Sequence, residues 1–261
     1  MDNQKIRLNK FLAERLGVSR READDLIAAG KVTINDDKAI LGAKIDKNDK
    51  VCYNKWIVPF QADFSYLAFN KPIGYVCSRR AQGSTPTLYN LLPTKYQKLK
   101  TVGRLDKDTS GLILLTNDGD FAFQMTHPKF HKEKVYEVEL NKPLEPLHQQ
   151  MVSDYGVMLD DGPSKFTVIK DDSIPSNQGE FKDVTTRELT RESRSDGYER
   201  RNSAEEITQN RYIVTLSEGR NRQIRRTFAA LGYRVIKLHR TQFGKYQLNT
   251  LAPGEFTEFK I

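Results

Sequence analysis

The spacing of the apolar residues near the N-terminus constrains the fold of this chain most. Leu8, Phe11, Leu12 and Leu16 fall at helical spacing, and Gly17 then supplies a stop. The sequence therefore predicts a first short helix that ends at this glycine.

A second helix is predicted directly after the first. Ser19 and Glu22 have the Ser-x-x-Glu spacing of a capping box, in which each side chain satisfies a backbone N–H group of the other residue. The apolar stripe of this helix and the glycine that ends it are Ala23, Leu26, Ile27 and Gly30.

Short strands are predicted after the two helices. Val32 and Ile34 alternate with polar positions, the Asn-Asp-Asp cluster at 35–37 indicates a turn, and Ile45 and Val51 indicate further short strands. These elements together predict a compact helix-helix-strand unit of about fifty residues.

Basic residues gather at the start of both predicted helices, away from the apolar stripe. They are Lys5, Arg7, Lys10, Arg20 and Arg21. Charge alone does not separate a solvated face from a phosphate-binding face. Residues 6 to 53, however, carry the run RLNKFLAERLGVSRREADDLIAAGKVTIND, which closely resembles the small RNA-binding domain named after a small-subunit ribosomal protein. The resemblance implies that the basic helical face contacts RNA phosphates.

A larger domain is predicted after this RNA-binding unit. The pattern loosens from Trp56 to Asp63, so the predicted domains are residues 1–57 and 58–261. Strand-like runs at 112–116, 135–140 and 212–216 are mixed with helical stretches and lack strict βαβ alternation. The larger domain is therefore expected to be α+β, with a mixed, mainly antiparallel sheet and flanking helices.

Residues 171 to 210 form a polar, charged segment with few apolar positions. The segment is predicted to be a long mobile insertion or surface loop, in which RELTRES could form a short helix.

The composition indicates the class of partner. The 261 residues include 42 Lys and Arg against 34 Asp and Glu, giving a net charge of +8, which favours a polyanionic partner or a membrane surface. No apolar stretch approaches a membrane span or a signal peptide, so the protein is expected to be soluble, cytoplasmic and without a membrane partner. The cysteines and histidines lack metal-ligand spacing, and neither a metal nor a cofactor is expected.

The motif most informative about chemistry is GRLDKDTSG at 103–111, which precedes an apolar run. Asp106 or Asp108 in such a loop could simply cap a turn. Arg104 and Lys107 lie beside Asp106, however, and nearby cations favour an ionised carboxylate even where it is partly desolvated. An ionised, positioned aspartate is what covalent catalysis requires.

The motif and its continuation, GRLDKDTSGLILLTNDG, resemble the central motif of the family that contains the rRNA pseudouridine synthases of the ribosomal subunits. Three other segments resemble further family motifs in the expected order: FNKPIGYVCS, HPKFHKEKVYEVEL and EGRNRQIRRTFAALGYRVIKLHRTQFGKYQL. The resemblance spans nearly the whole chain apart from 171–210. It implies that Asp106 is the catalytic carboxylate of an isomerase that converts specific uridines to pseudouridine.

Tyr136 lies in an alternating strand with Val138 and Leu140 on the same face. Taken alone, such a tyrosine is an aromatic core residue. The resemblance of HPKFHKEKVYEVEL to the family's K-x-Y element implies instead that Tyr136 stacks on the target base and takes part in the final proton removal. A tyrosine can pack its ring while its hydroxyl faces a pocket, so the two roles are compatible.

The segment NRQIRRTFAALG is predicted to be a helix with an apolar and a basic face. By resemblance, Arg225 pairs with Asp106 and helps to fill the space that the extruded base leaves. Contact with phosphate alone is the alternative for Arg225, and the choice among Arg222, Arg225 and Arg226 stays open. The further RNA-binding residues expected in the matched motifs are Lys71, Arg104, Lys134, Asn221, Arg222, Gln223 and Arg226.

The implied reaction breaks the bond between the sugar and a base nitrogen, turns the base and rejoins it through a carbon atom. A stacked base cannot react in place, so the nucleotide must be extruded into a pocket. Asp106 could attack the sugar or base as a nucleophile or remove a sugar proton, and the sequence leaves both open. The expected partner is a structured rRNA stem-loop bound by a monomer, and no cofactor is needed.

Other interpretations of the sequence remain at this point. A non-catalytic RNA-binding or ribosome-assembly factor would explain the charge and the N-terminal unit, and charge alone also fits a DNA-binding or membrane-surface protein. Within the family, the form EGRNRQIRR together with an N-terminal RNA-binding unit favours large-subunit (23S) rRNA, with small-subunit (16S) rRNA as the alternative.

Overall fold

The computed structural model describes residues 5–60, 63–79, 83–171 and 210–261. The chain divides into two compact units. The first unit comprises Met1–Lys132 and Tyr246–Ile261, and the second comprises Glu133–Lys245. The predicted insertion at 171–210, with its RELTRES segment, lies almost wholly outside the described residues. The domain boundary between positions 57 and 58 stays a prediction.

The two N-terminal helices form where the sequence predicts them. Helix α1 spans Leu8–Leu16 and ends at Gly17, whose φ of 70° lies in the left-handed region that glycine adopts without strain. Helix α2 spans Arg20–Ala28. The Ser19 hydroxyl accepts a hydrogen bond from the Glu22 N–H at 3.1 Å, and the Glu22 carboxylate accepts one from the Ser19 N–H at 2.6 Å, which confirms the capping box.

Two small sheets complete this N-terminal module, as we call residues 5–60. The antiparallel strands of the first are β1 (Ile6–Arg7) and β4 (Lys44–Ile45). The second has the order β3-β2-β5-β6, formed by β2 (Val32–Ile34), β3 (Asp37–Lys38), β5 (Val51–Tyr53) and β6 (Trp56–Ile57). Asn35 and Asp36 have φ values of 50° and 72°, which confirms the turn between β2 and β3. Phe11, Ile27 and Ile45 lie in the module's core.

The rest of the first unit is built on a sheet with the order β17-β7-β9-β8, all antiparallel. Its strands are β7 (Tyr66–Lys71), β8 (Lys100–Val102), β9 (Ser110–Thr116) and β17 (Phe256–Glu258). Strands β7 and β9 are buried along their whole length, as expected of apolar runs covered on both faces. This unit also contains helix α3 (Gly119–Thr126), strand β16 (Tyr246–Gln247) and the 3-10 turns Leu88–Leu91, Thr94–Tyr96 and Pro128–Phe130.

Polar contacts join the N-terminal module to the rest of the first unit. The Lys10 ammonium on α1 lies 2.5 Å from the Asp120 carboxylate in the first turn of α3. The Lys100 ammonium on β8 donates to the Val18 carbonyl oxygen at 3.1 Å. These contacts hold the module against β8 and α3, which precede and follow β9 in the sequence.

The second unit has an antiparallel sheet with the order β13-β14-β10-β15. Its strands are β10 (Lys134–Leu140), β13 (Thr167–Lys170), β14 (Arg211–Leu216) and β15 (Val235–Phe243). A separate hairpin pairs β11 (Val157–Leu159) with β12 (Gly162–Ser164). The helices are α4 (Pro146–Gln150), which continues into a π-helical turn at Met151–Tyr155, and α5 (Gln223–Ala230).

The described residues confirm the α+β class with mainly antiparallel sheets. The strand-like runs at 112–116, 135–140 and 212–216 fall within β9, β10 and β14, and the helix predicted from NRQIRRTFAALG is α5. Within the described ranges, no helix is long and apolar enough to span a bilayer.

Candidate active site

Asp106 lies in the loop that joins β8 to β9, within the first unit. A turn closes around it, because the Thr109 N–H donates to the Asp106 carbonyl oxygen at 3.1 Å. The Gly74 N–H donates to the Lys107 carbonyl oxygen at 2.8 Å and so ties the loop to the segment that follows β7. The Asp106 side chain is half-buried, a placement that keeps a carboxylate positioned without removing it from solvent.

The residues before Asp106 are also held by hydrogen bonds. The Leu105 N–H donates to the Cys77 sulfur, and the Cys77 thiol donates to the Leu105 carbonyl oxygen, both at 3.3 Å. The Leu105 side chain is itself buried. Gly103 has a φ of 73°, and a Cβ atom added there would lie 3.6 Å from Thr126 Cγ2 at the end of α3. Hydrogen bonds to the backbone on both sides therefore fix the position of Asp106.

Lys71, at the end of β7, is fully buried behind this loop, and its ammonium donates to the Pro72 carbonyl oxygen at 2.9 Å. Burial lowers the pKa of Lys71, while the nearby Cys77, Asp106 and Asp108 act in the opposite direction. Lys71 was expected to contact RNA. Its burial does not support a surface phosphate contact, because an ammonium enclosed by protein does not reach a backbone that stays in solvent.

Tyr136 lies on β10 in the second unit, and its side chain is 8% exposed. It pairs in register with Val214 of β14 and Arg240 of β15, and the β10-β15 register shifts between Val135 and Tyr136. Such an irregularity re-aims a side chain, and strand irregularities are frequent next to active sites. The burial agrees with an aromatic core residue, so the base-stacking role stays a proposal.

Lys134 and Arg240 bring two positive charges to the same aromatic ring. The Lys134 ammonium lies 5.4 Å from the centre of the Phe243 ring, and the Arg240 guanidinium lies 4.8 Å from it. Burial, and then the charge of Arg240, lower the pKa of Lys134 to about 8. Sequence reasoning missed Arg240, which is 2% exposed. Its place two residues after the buried Leu238 was the available signal, because alternate strand residues share a face.

The basic residues at the start of α5 have different surroundings. Arg222 precedes the helix with a φ of 46° and is exposed, as is Asn221. The Arg225 guanidinium donates to the Val235 carbonyl oxygen at 2.9 Å. Arg226 donates to both carboxylate oxygens of Asp161, at 3.1 and 2.7 Å. Of these four residues, Asn221 and Arg222 keep the exposure that the expected RNA contacts require.

Asp161, in the turn of the β11-β12 hairpin, is the centre of a charged network that sequence reasoning missed. Arg220 donates to its carboxylate at 2.9 Å and to the Gly162 and Pro163 carbonyl oxygens at 3.0 and 2.8 Å. The hydrogen bond from Arg226 lowers the pKa of Asp161, and the charges of Arg220 and Arg226 act in the same direction. The carboxylate therefore fastens the hairpin to the start of α5.

Buried hydrogen bonds extend this attachment. The Gln223 amide donates to the Ser164 hydroxyl at 3.1 Å, and the Thr227 hydroxyl donates to the same oxygen at 2.7 Å. Gln223 is 3% exposed. Gln223 was expected to contact RNA, but its amide is used inside the protein, which does not support that role.

The basic residues of the N-terminal module mostly remain on its surface. Lys10 is the exception, since its ammonium is paired with Asp120. The exposed members of the predicted set in the first unit are Lys5, Arg7, Arg20, Arg21 and Arg104.

Comparison with known proteins gives the same class as the motifs. The family model described as RNA pseudouridylate synthase matches residues 65–230, and the S4 domain model matches residues 6–51. The "Ribosomal small subunit pseudouridine synthase A" of Pasteurella multocida is 35% identical over 254 residues, covering 96% of this chain and 94% of the relative. The protein of the same name from Escherichia coli K12 is 34% identical over 253 residues, covering 96% and 95%.

A solved structure described as a pseudouridylate synthase covers 98% of this chain and 96% of its own, with 29% identity and a TM-score of 0.60. This chain belongs to the RNA pseudouridylate synthase family and carries an N-terminal S4 domain. It is accordingly an enzyme of the isomerase class.

Proposed function

We propose that this protein isomerises a specific uridine of small-subunit ribosomal RNA to pseudouridine, with Asp106 as the catalytic carboxylate. The observation that carries the proposal is the Asp106 loop. A half-buried aspartate in the matched motif is held on both sides by backbone contacts, in a chain that is similar over 96% of its length to enzymes named for the small subunit. A fixed carboxylate of this kind is suited to act on a nucleotide brought to it.

Small-subunit rRNA is proposed as the substrate in place of the large-subunit rRNA that was expected from the EGRNRQIRR motif. That form of the closing motif, together with the N-terminal module, favoured large-subunit rRNA. The similar relatives from Pasteurella multocida and Escherichia coli are named for the small subunit instead, so they do not support the large-subunit expectation. Motif form is a weak guide to the substrate, because RNA shape and loop contacts decide which uridine is modified.

In the proposed reaction the target nucleotide leaves its stack and enters the protein. Extrusion costs a few kcal/mol, which phosphate contacts and aromatic stacking offset. Asp106 then acts at the sugar or the base, as a nucleophile or as the base that removes a sugar proton. The bond between the sugar and the base nitrogen breaks, and the base turns and rejoins the sugar through a ring carbon. The proton on that carbon is removed last, and the freed nitrogen gains a proton, so the product is an isomer of the substrate.

Tyr136 and Arg225 complete the proposed set of catalytic residues. We propose that the Tyr136 ring stacks on the target base and that its hydroxyl takes part in the final proton removal, since a buried tyrosine can place its ring in packing and its hydroxyl in a pocket. Arg225 is proposed to occupy the space that the base leaves. Its predicted pairing with Asp106 joins residues of different units and stays a prediction.

A set of mostly exposed basic residues, with the neighbouring Asn221, is proposed to bind the RNA backbone. Lys134 is included because its ammonium is half-buried beside a second cation, a setting that favours an anionic ligand. Lys71 and Gln223 are left out because both are buried, and Arg226 because two hydrogen bonds to Asp161 hold it. Lys10 is kept because its carboxylate partner, Asp120, is 67% exposed and the ion pair can give way to a phosphate. The proposed RNA-binding residues are Lys5, Arg7, Lys10, Arg20, Arg21, Arg104, Lys134, Asn221 and Arg222.

The experiment that tests this proposal compares two unmodified transcripts. Purified protein is incubated with small-subunit and with large-subunit rRNA, and pseudouridine is located by chemical mapping. The proposal expects product at one site of the small-subunit transcript and none in the large-subunit transcript. Product only in the large-subunit transcript would reverse the choice of substrate, and RNA binding without product in either would favour a non-catalytic assembly factor.

A further inference from the structure

Three aromatic rings gather on the surface of the first unit where α3 ends. The Phe123 ring lies 4.7 Å from the His127 ring and 5.8 Å from the Phe130 ring, measured between ring centres. The His127 and Phe130 rings are 6.4 Å apart. Phe123 is 45% exposed and His127 is also exposed, so the group, called here the ring cluster, presents aromatic surface to solvent.

A lysine covers part of the ring cluster. The Lys129 ammonium lies 5.2 Å from the centre of the Phe123 ring and 4.7 Å from that of Phe130. From Phe121 to Lys132 the chain contains two lysines and two histidines and no carboxylate, and Glu133 follows directly. The nearest acidic residue before this stretch, Asp120, is engaged by Lys10. The surroundings of the cluster therefore favour an anionic ligand.

The backbone holds the ring cluster in a fixed arrangement. Helix α3 ends at Thr126, and the His127 Nδ1 atom accepts a hydrogen bond from the Lys129 N–H at 3.3 Å. The His131 N–H then donates to the Pro128 carbonyl oxygen at 3.0 Å, with His131 itself at a φ of 45°. These bonds close a 3-10 turn, so the rings are presented on regular structure rather than on a free loop.

The packing of α3 does not account for the exposed ring. The buried face of this helix consists of Phe121 and Met125, while Phe123 lies between them in sequence and projects from a different face. An exposed phenylalanine contributes little to the core, whereas a ring next to a cation is the arrangement that binds unpaired nucleobases.

The helix that carries Phe123 contacts the segment before Asp106 at its last residue. Thr126, the residue before His127, places its Cγ2 atom 3.6 Å from the Cβ position of Gly103, and Gly103 is three residues before Asp106. This contact places the end of α3 next to the segment that leads to Asp106.

We propose that the ring cluster is a docking site for an unpaired nucleobase of the RNA substrate next to the target uridine. The base stacks on Phe123, and the Lys129 ammonium contacts the adjoining phosphate. Stacking on an aromatic side chain is tolerant of base identity, so the site would add affinity for unpaired RNA rather than sequence preference. The placement of this base beside the target rests on the proposed function, whereas binding of unpaired RNA by the cluster does not.

The test measures RNA binding, which does not depend on turnover. Phe123→Ala is compared with Phe64→Ala, a change at another partly exposed phenylalanine of the same unit, 41% exposed. The probes are single-stranded oligouridine and unmodified small-subunit rRNA. We expect Phe123→Ala to weaken binding of both about 10-fold and Phe123→Trp to restore it, because the affinity that one stacked base adds is lost with the ring and regained with another ring.

A fluorescence measurement covers the case in which Phe123→Ala fails to fold. Trp56 is the single tryptophan of the chain, so the double variant Trp56→Phe, Phe123→Trp carries one tryptophan in the cluster. Quenching of its emission by oligouridine supports the proposal. Unquenched emission on saturated protein, or equal affinity in Phe123→Ala and wild type, overturns it. A cluster that binds vesicles of anionic phospholipid, with RNA affinity unchanged by Phe123→Ala, overturns it as well.

Because the readout is affinity, the proposal and the enzymatic assignment fail separately. If the protein binds oligouridine through Phe123 but forms no pseudouridine, the docking site stands and the proposed reaction is rejected. If the Phe123→Ala variant forms pseudouridine at the wild-type rate and binds RNA with wild-type affinity, the proposed reaction stands and the docking site is rejected.

Discussion

The Asp106 loop and the start of α5 both carry family motifs, but the protein holds them in different ways. The loop is held by backbone hydrogen bonds, from Thr109 to Asp106 within the loop and from Gly74 to Lys107 across the sequence. The start of α5 is held by charged side chains around Asp161, which lies in a hairpin far away in sequence. A motif fixed mainly by backbone hydrogen bonds keeps most of its geometry when single side chains change, whereas one fixed by a remote carboxylate depends on that residue.

The largest effect of a change outside the catalytic residues is therefore expected at Asp161. Asp161→Ala removes the acceptor of Arg220 and Arg226 and frees the start of α5 from the hairpin. We expect kcat/KM to fall about 10-fold or more, since small displacements of positioned groups cost at least that much. The matched control is Asp160→Ala in the same turn, measured with the same RNA. Equal rates for the two variants would show that the network does not position α5.

A smaller effect is expected where backbone conformation holds Asp106. Gly103 has a φ of 73°, so Gly103→Ala introduces strain of about 1–2 kcal/mol in the left-handed region. Gly42→Ala, at a φ of 82° with no atom near its Cβ position, imposes the same strain away from the loop. Thermal melting should shift similarly in both variants, while single-turnover rates should fall only in Gly103→Ala. An equal loss of rate in both variants would show that the backbone conformation at Gly103 does not specifically position Asp106.

A moderate pH effect is expected from Lys134. Its pKa of about 8 lies below the ordinary value of 10.5, so between these values the unfolded chain binds more protons and the contribution of Lys134 to stability rises with pH. RNA binding changes in the opposite direction, because the ammonium that attracts phosphate is lost as pH rises through about 8.

Titrating RNA affinity from pH 7 to 9 checks the Lys134 effect. For wild type, the slope of log affinity against log salt should fall by about 1 over this range, which corresponds to the loss of one phosphate contact. The slope for Lys134→Arg should not change, since arginine stays charged. A pH dependence that persists unchanged in Lys134→Arg would assign the titration to another group.

The smallest effect is expected at the exposed ion pair between Lys10 and Asp120. The Asp120 side chain is 67% exposed, so Asp120→Asn should change the free energy of unfolding by less than about 1 kcal/mol. Lys10→Met removes a predicted phosphate contact and should lower the slope of log affinity against log salt by about 1. A slope that matches wild type would place Lys10 in the protein contact alone.

Local patterns predicted much of this fold. The capping box at Ser19 and Glu22 and the turn at Asn35 and Asp36 were predictable because each depends on residues a few positions apart. The strand that follows Asp106 was predictable because its apolar run is long enough to be buried.

The side-chain networks were not predictable in the same way. Arg226 and Asp161 meet across 65 positions, and no local pattern indicates that one binds the other. The burial of Lys71 and Arg240 also contradicts the general tendency of long cations to stay exposed. Both burials depend on tertiary packing beside the strands that carry the motifs.

The most direct test of the central claim is the single-turnover rate of Asp106→Asn on unmodified small-subunit rRNA, with Asp108→Asn as the neighbouring control. The account predicts that Asp106→Asn binds the transcript within about two-fold of wild type and forms no detectable pseudouridine, since it removes the reacting group and leaves the phosphate contacts. Asp108→Asn should keep most of the activity. Pseudouridine formed by Asp106→Asn at the wild-type rate would contradict the assignment of Asp106 as the catalytic carboxylate.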